Sequence, residues 1–213
     1  MQAGMTHELP RPRLAMRLLG FAGATLLATL SGIAGAQTSA DTKTFEDANF
    51  RYSVALPKGC RHDEGPGTLD AICSADLDPE KSSAASAAAA LVLEVGVESV
   101  PADASTPPAD LAQRYGEAQF KEELPETVCG ESDRAKVKID NAKQVLEEAR
   151  VVYTADVTCP EIKFLGLGER RAATRFLITP GLRYRLMARA PKEDFEKRKE
   201  AVDAFFASFR LLP

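Results

Sequence analysis

The sequence has no tryptophan and only two histidines among its 213 residues, and this scarcity limits the chemistry that it can support. His7 lies near the N-terminus, which leaves His62 to act as the general base in any Ser-His-Asp or Cys-His mechanism. Charged residues surround His62, and no nucleophile-elbow sequence occurs anywhere in the chain. The sequence therefore argues against a hydrolase of this type and predicts that His62 is a solvated surface residue.

Recognisable metal-binding motifs are also lacking. Zinc accepts the side-chain types of Cys60, His62, Asp63 and Cys73, but their spacing fits no standard zinc site. The alternating acidic residues Asp76, Asp78 and Glu80 lack the central glycine and distal glutamate of a calcium-binding loop. We predict no metal and no cofactor.

Motifs for nucleotides and nucleic acids are missing as well. The single G-x-G at residues 166–168 lacks the strand before it and the helix after it that a phosphate-binding loop needs, so it predicts a bend. No segment interleaves aromatic and basic residues, which argues against nucleic acid as a partner.

The N-terminal segment carries the pattern of a secretory signal peptide. Three arginines precede an apolar run over residues 18–36 that ends in Ala34-Gly35-Ala36, the small-residue pattern that signal peptidase cleaves. An uncleaved membrane anchor is the alternative, because the run is almost long enough to span a bilayer. We predict cleavage after residue 36, a periplasmic or secreted location, and no integral membrane segment in the mature chain.

Charge divides the predicted mature chain into two halves. Residues 37–133 contain 7 basic and 19 acidic side chains, whereas residues 134–213 contain 17 basic and 11 acidic ones. The two halves either fold into one domain and partly attract each other, or the basic half offers a surface to an anionic partner. We predict a loose segment over residues 37–48 and one domain over residues 49–213, which is long enough to bury a core.

Four cysteines in an exported chain predict two disulfide bonds. Three pairings are open, and we favour Cys60 with Cys73 and Cys129 with Cys159, because each pair flanks a turn-rich or locally folded segment. Each closure would stabilise the fold by about 3 to 4 kcal/mol on the loop-entropy model.

Hydrophobic periodicity predicts a strand-rich α+β domain with a mostly antiparallel sheet covered by helices. Strands are expected at residues 50–56, 69–74, 91–100, 170–178 and 182–190, with a loop over residues 60–70. A further hairpin should join residues 135–140 to 144–158 near Asn141, and a helix over residues 110–123 should stop at Pro125. Whether residues 84–90, rich in alanine, form a helix or an expanded loop is left open.

An amphipathic helix is predicted to close the chain after the last strand. Its apolar residues fall within about 100° of one another on a helical wheel, and they are Phe195, Val202, Phe205, Phe206 and Phe209. This helix should pack on the sheet through one buried face.

The first strand, FRYSVALPKGC, and the ending, YRLMARAPKEDFEKRKEAVDAFFASFRL, resemble the opening and closing signatures of the PsbP-like superfamily. The residues that carry the resemblance are Tyr52, Leu56, Pro57, Tyr184, Phe195, Phe205, Ser208 and Phe209. The resemblance implies an α/β/α sandwich, also found in a Ran-binding nuclear transport factor and in small exported bacterial proteins. It brings binding or assembly-accessory roles and no shared catalytic apparatus, and the four cysteines and the alanine-rich insert depart from its pattern.

Arginines supply the best candidate site. Arg183, Arg185 and Arg189 are expected on one side of a strand, and Arg170, Arg171 and Arg175 are expected across the hairpin from them. Clustered guanidinium groups suit carboxylate or phosphate recognition, although they could instead pair with Asp and Glu of the acidic half or cover apolar surface with their stems. We predict a docking face for an acidic protein or an anionic envelope component.

The sequence thus favours a non-catalytic exported protein that acts by binding, in an accessory or envelope-associated role. An enzyme with an unrecognised carboxylate-based site is one alternative, and a structural envelope stability factor is another. A concave pocket with inward carboxylates would favour the enzyme, whereas a flat arginine-lined face would favour the binding protein.

Overall fold

Seven antiparallel strands form the main sheet of the computed structural model. The structure describes residues 42–73, 90–103, 105–130, 133–147, 149–161 and 168–213. The predicted signal peptide, the acidic run at residues 76–80, most of the alanine-rich stretch and most of the G-x-G at residues 166–168 lie outside the described residues.

The main sheet has the strand order β3-β4-β5-β9-β8-β7-β6. Its strands are β3 (Arg61–Gly65), β4 (Thr68–Cys73), β5 (Leu91–Ser99), β6 (Lys138–Glu147), β7 (Arg150–Cys159), β8 (Arg170–Thr179) and β9 (Leu182–Pro191). A smaller sheet of order β1-β2-β10 contains β1 (Thr42–Asp47), β2 (Tyr52–Pro57) and β10 (Arg210–Leu211).

Helices pack on both faces of the main sheet. The helices are α1 (Pro108–Arg114), α2 (Glu117–Cys129), α3 (Lys192–Lys197) and α4 (Lys199–Ser208), and a short 3-10 turn spans Arg134–Lys136. Within the described part of the chain, no helix is long and apolar enough to cross a membrane. The predicted mostly antiparallel α+β architecture with a C-terminal helix is confirmed.

Two hydrophobic cores lie on opposite faces of this sheet. On the first face, Leu93 and Leu186 pack with Phe205 of α4 and with Tyr52 of the small sheet. On the second face, Tyr153 and Phe176 pack with Phe120 of α2, and the Phe120 and Tyr153 rings stack with centroids 4.4 Å apart. Alternation along each strand sends successive side chains to opposite cores, so β7 to β9 serve both.

The structure contains the two disulfide bonds that the sequence favoured, Cys60–Cys73 and Cys129–Cys159. The first joins the residue just before β3 to the end of β4, and the two Cα atoms are 4.1 Å apart. The second joins the end of α2 to the end of β7 and ties the second-face helices to the sheet.

Two strands occupy segments that the sequence predicted to be irregular. Strand β1 lies in the supposedly loose segment, and Phe45 pairs with Val54 of β2 and packs on Tyr52. Strand β3 lies in the predicted loop and pairs along its length with β4. Both are edge strands with mostly exposed polar side chains, so neither carries the apolar alternation by which strands are recognised.

The predicted turn near Asn141 is wrong. Strand β6 runs through this position with a bulge between Asp140 and Lys143, where Asn141 adopts a φ of 52°. The hairpin instead turns between Glu147 and Arg150. A bulge uses the same turn-forming residue types as a hairpin, and asparagine tolerates this left-handed backbone better than most residues.

The helix boundaries also differ from the prediction. The expected helix over residues 110–123 is two helices that meet at Tyr115–Gly116, and Pro125 lies inside α2 instead of ending it. Proline removes one backbone hydrogen bond there, but Leu124 and Val128 are buried, which favours continuation of the helix. The closing helix is likewise divided at Arg198, which donates to the carbonyl oxygen of Cys73 over 2.7 Å.

Candidate functional site

Strand β9 carries Arg183, Arg185 and Arg189 on the second face of the main sheet. Met187 lies between Arg185 and Arg189 in the same odd-numbered set and belongs to the second core. The even-numbered neighbours Tyr184 and Leu186 belong to the first core. The predicted grouping of these three arginines on one face is therefore present. The two-residue spacing of a strand is what places them there.

Arg183 is held by two carboxylates. Its Nε donates to Glu98 over 2.7 Å and its Nη1 donates to Glu123 of α2 over 3.0 Å, and only 13% of the side chain is exposed. Its guanidinium carbon also lies 5.9 Å from the centre of the Phe176 ring. Burial alone lowers the pKa of Arg183, but Glu98 and Glu123 raise it above its ordinary value. Arg183 therefore connects β9, β5 and α2.

Arg185 pairs with Glu94 of β5, and both side chains are largely buried, with 29% and 14% exposed. A Cβ at Gly96 would lie 3.2 Å from Nη2 of Arg185, so the guanidinium rests over the bare backbone of this glycine. Glycine leaves the space that the arginine occupies. Arg185 is thus neutralised within the sheet.

Arg189 differs from both. It is partly exposed, and its side chain makes no hydrogen bond and no ion pair with a described residue. Val92 of β5 and Ala172 of β8 lie directly opposite it in the sheet. It is the one predicted site arginine, of the six described, whose guanidinium has no polar partner.

Arg170 lies beside Arg189, across the hairpin as the sequence predicted. It stands two residues before Ala172, the partner of Arg189, and therefore shares the second face. Its Nη2 donates over 3.5 Å to the carbonyl oxygen of Cys129 at the end of α2, while its buried Nε has no partner among the described residues. Burial lowers the pKa of Arg170, and the charge of Arg189 lowers it further.

Arg171 and Arg175 lie on the opposite face of β8. Arg171 pairs with Glu196 and lies over the Phe195 ring, with its guanidinium carbon 5.8 Å from the centroid. Arg175 lies over the Phe206 ring and donates to the carbonyl oxygen of Phe206 over 3.2 Å. The structure therefore does not bring these two arginines together with those of β9. They cover the edge of the first core with their stems.

A groove beside Arg175 is relevant to the carboxylate-based alternative. Its volume is about 310 Å³, and its lining includes Asp156 and Asp203. Asp156 accepts a hydrogen bond from Asn141 over 2.7 Å, and Asp203 accepts from Lys199 over 2.6 Å. Both carboxylates are thus engaged with neighbouring side chains.

His62 lies at the other end of the main sheet. Its Nε2 is 3.0 Å from a carboxylate oxygen of Glu64 and 3.4 Å from the Lys43 amine. Both cysteines of the considered zinc set, Cys60 and Cys73, are joined in a disulfide bond. The part of the chain that the structure describes contains no group of three or more residues that could hold a metal ion.

No protein-family model and no curated protein matches the sequence. Among solved structures, the chain is similar to cyanobacterial PsbP from Synechocystis sp. PCC 6803, with 16% identity, a TM-score of 0.52, and 85% of this chain and 98% of that chain covered. It is also similar to LpqN of Mycobacterium tuberculosis, a protein involved in cell envelope biogenesis, with 9% identity, a TM-score of 0.50, and coverage of 83% and 88%.

The fold is therefore PsbP-like, as the resemblance of the two sequence ends predicted. The residues that carried the resemblance are packing residues in the structure. Tyr52, Tyr184 and Phe209 form one aromatic cluster with ring centroids 5.7 to 6.3 Å apart. This explains why they identify a fold and do not by themselves identify an activity.

Proposed function

We propose that this protein is a non-catalytic accessory protein of the cell envelope, exported from the cytoplasm, that binds an anionic partner. Its binding surface is the second face of the main sheet around Arg189, where β5 and β9 run side by side. Arg183 and Arg185 do not contact the partner and instead stabilise this surface from within the sheet.

The observation that carries this proposal is the contrast in charge pairing along β9. Glu94, Glu98 and Glu123 neutralise Arg185 and Arg183. Arg189 has no ion-pair partner among the described residues and lies in a partly exposed position. An unpaired arginine on a rigid strand can donate two parallel hydrogen bonds to an incoming oxyanion without first breaking an internal ion pair.

Two features support the location. The structure joins all four cysteines in disulfide bonds, which form and persist in oxidising compartments outside the cytoplasm. The N-terminal sequence has the signal-peptide pattern described above. The envelope role of LpqN, which has a similar fold, fits the same location.

The test is a capture experiment from solubilised cell envelopes with two matched variants. Arg189→Glu and Lys143→Glu change the net charge equally, but Lys143 lies exposed on the edge strand β6. We expect Arg189→Glu to lose the captured partner and Lys143→Glu to retain it, with both variants melting within a few degrees of the wild type. Retention of the partner by Arg189→Glu would refute the proposal.

A further inference from the structure

Arg170 and Arg189 form a pair of like charges on the second face of the main sheet. Arg170 pairs with Pro191 and Ala172 pairs with Arg189, so the two arginines are diagonal neighbours on adjacent strands. Diagonal positions have Cα atoms about 7 to 8 Å apart, which long side chains span easily. The two guanidinium groups can therefore reach the same small ligand.

Neither arginine forms an ion pair with a described carboxylate. Glu94, the acid diagonal to Arg189 across β5, pairs with Arg185. Glu169, the neighbour of Arg170 in the chain, accepts from Lys192 over 2.9 Å. The contact between Arg170 and the Cys129 carbonyl oxygen is long and does not supply a full negative charge. Two positive charges thus remain without a counter-ion among the described residues.

The residues around the two arginines favour tight binding of an anion. Val92 and Ala172 lie opposite Arg189, and Met187 is buried two residues before it. Apolar neighbours lower the local dielectric constant, which raises the strength of a charge-assisted hydrogen bond. The Nε of Arg170 is buried and has no hydrogen-bond partner among the described residues, so internal contacts do not fully satisfy this guanidinium group.

We propose that Arg170 and Arg189 together bind one phosphate monoester group. This group carries between 1.5 and 2 negative charges near neutral pH, which roughly balances the two positive charges of the arginines. Its three terminal oxygens can accept from both guanidinium groups at once, whereas a carboxylate has one charge and two oxygens. The inference rests on the proposed function, since it names the chemistry that the second face would recognise.

A titration with inorganic phosphate tests the site directly. The nuclear magnetic resonance signals of the arginine Nε–Hε groups are followed in purified, disulfide-bonded protein, with sodium chloride at equal ionic strength as the reference. We expect the Arg170 and Arg189 signals to shift in a saturable manner. An absence of phosphate-specific shifts would overturn the proposal.

Variants separate this site from general charge attraction. Arg189→Gln is expected to weaken phosphate binding by about tenfold or more, the equivalent of one hydrogen bond between charged groups. Lys143→Gln removes the same charge from the edge strand β6 and should bind phosphate within twofold of the wild type. Equal weakening in the two variants would overturn the proposal, as would acetate binding that is as tight as phosphate binding.

Two further ligands distinguish the source of the phosphate. Vesicles of phosphatidylcholine with and without phosphatidic acid present the group on a lipid surface, and glycerol phosphate presents it on a soluble molecule. Arg189-dependent binding to either one supports the site, and failure of both overturns it. If phosphate does not bind but capture of the envelope partner still requires Arg189, the proposed function stands and this inference fails.

Discussion

The two ends of strand β9 carry the same residue type on the same face, yet their surroundings differ. At the beginning of the strand, Arg183 and Arg185 meet carboxylates from β5 and α2. Near its end, Arg189 meets valine and alanine across the sheet and another arginine on the diagonal. An arginine-rich strand is therefore not one uniform basic surface, because the pairing register decides which charges remain available.

The largest effect is expected from the disulfide that borders the Arg189 end. Replacing Cys129 and Cys159 by alanine should lower the free energy of unfolding by about 4 kcal/mol, against about 3 kcal/mol for the shorter Cys60–Cys73 loop. Urea denaturation of each double variant measures both values. The disulfide holds the end of α2, where the Cys129 carbonyl oxygen accepts a hydrogen bond from Arg170. Because its loss frees this end of the helix, the first variant should also displace Arg170 and weaken phosphate binding.

The matched loss of Cys60 and Cys73 should leave phosphate affinity unchanged, because that bond lies between β3 and β4. Equal loss of affinity in both double variants would show that the Arg189 end depends on global stability alone. The local contact between Arg170 and the end of α2 would then not explain phosphate binding at the Arg189 end of β9.

At the paired end of β9, Arg183→Gln should destabilise the fold by about 1 to 3 kcal/mol, since it leaves two carboxylates without their charged donor. The free energy of unfolding is measured by urea denaturation at low ionic strength. A value near zero would mean that Arg183 is not the connection between β5, β9 and α2 that its contacts indicate.

Tyr52 in the first core should make the stability of the fold depend on pH. Burial raises the pKa of Tyr52 well above its ordinary value, and Asp47 and Glu64 raise it further. The unfolded chain releases this proton near pH 10 while the folded chain keeps it, so stability is full below pH 10 and falls above it.

In the wild type, Tyr52 should lower the free energy of unfolding by about 1.4 kcal/mol per pH unit above pH 10. Tyr52→Phe should abolish this contribution. Urea denaturation between pH 9 and pH 11 measures this slope. If the variant and the wild type lose stability in parallel, Tyr52 is not shielded from solvent as its position in the first core requires.

The smallest effect is expected at Arg189 itself. Arg189→Gln should change the free energy of unfolding by less than about 0.5 kcal/mol, because no internal hydrogen bond or ion pair to a described residue is lost. The difference in unfolding free energy between Arg183→Gln and Arg189→Gln measures how differently the two ends of β9 are held. A loss as large as that of Arg183→Gln would contradict a role in binding and indicate a structural one.

Much of the fold follows from periodicity in the sequence. The alternation of Tyr184, Leu186 and Ala188 with arginines predicted both the strand and its arginine face. Strands β1 and β3 were missed because edge strands expose polar side chains on both sides, and the Asn141 bulge was misread because bulges and turns share residue types.

The charge pairing was harder to foresee, although one signal was present. The hairpin turn at Pro180–Gly181 pairs Thr179 with Leu182, and this register sends the even-numbered residues of β8 to the face of Arg183 and Arg189. It therefore joins Arg170 to Arg189 and places Arg171 and Arg175 on the other face. Pairing of Arg183 with Glu123 depends on where α2 packs, which no local sequence pattern records.

Site-specific photocrosslinking tests the location of the binding surface most directly. A photoreactive phenylalanine analogue replaces Val92, directly opposite Arg189, or Lys143 on β6, and each variant is irradiated in intact cell envelopes. We expect a discrete crosslinked partner at position 92 that is absent at position 143 and is lost when Arg189→Glu is added. The same crosslinked products at both positions, or a product at position 92 that survives Arg189→Glu, would contradict it.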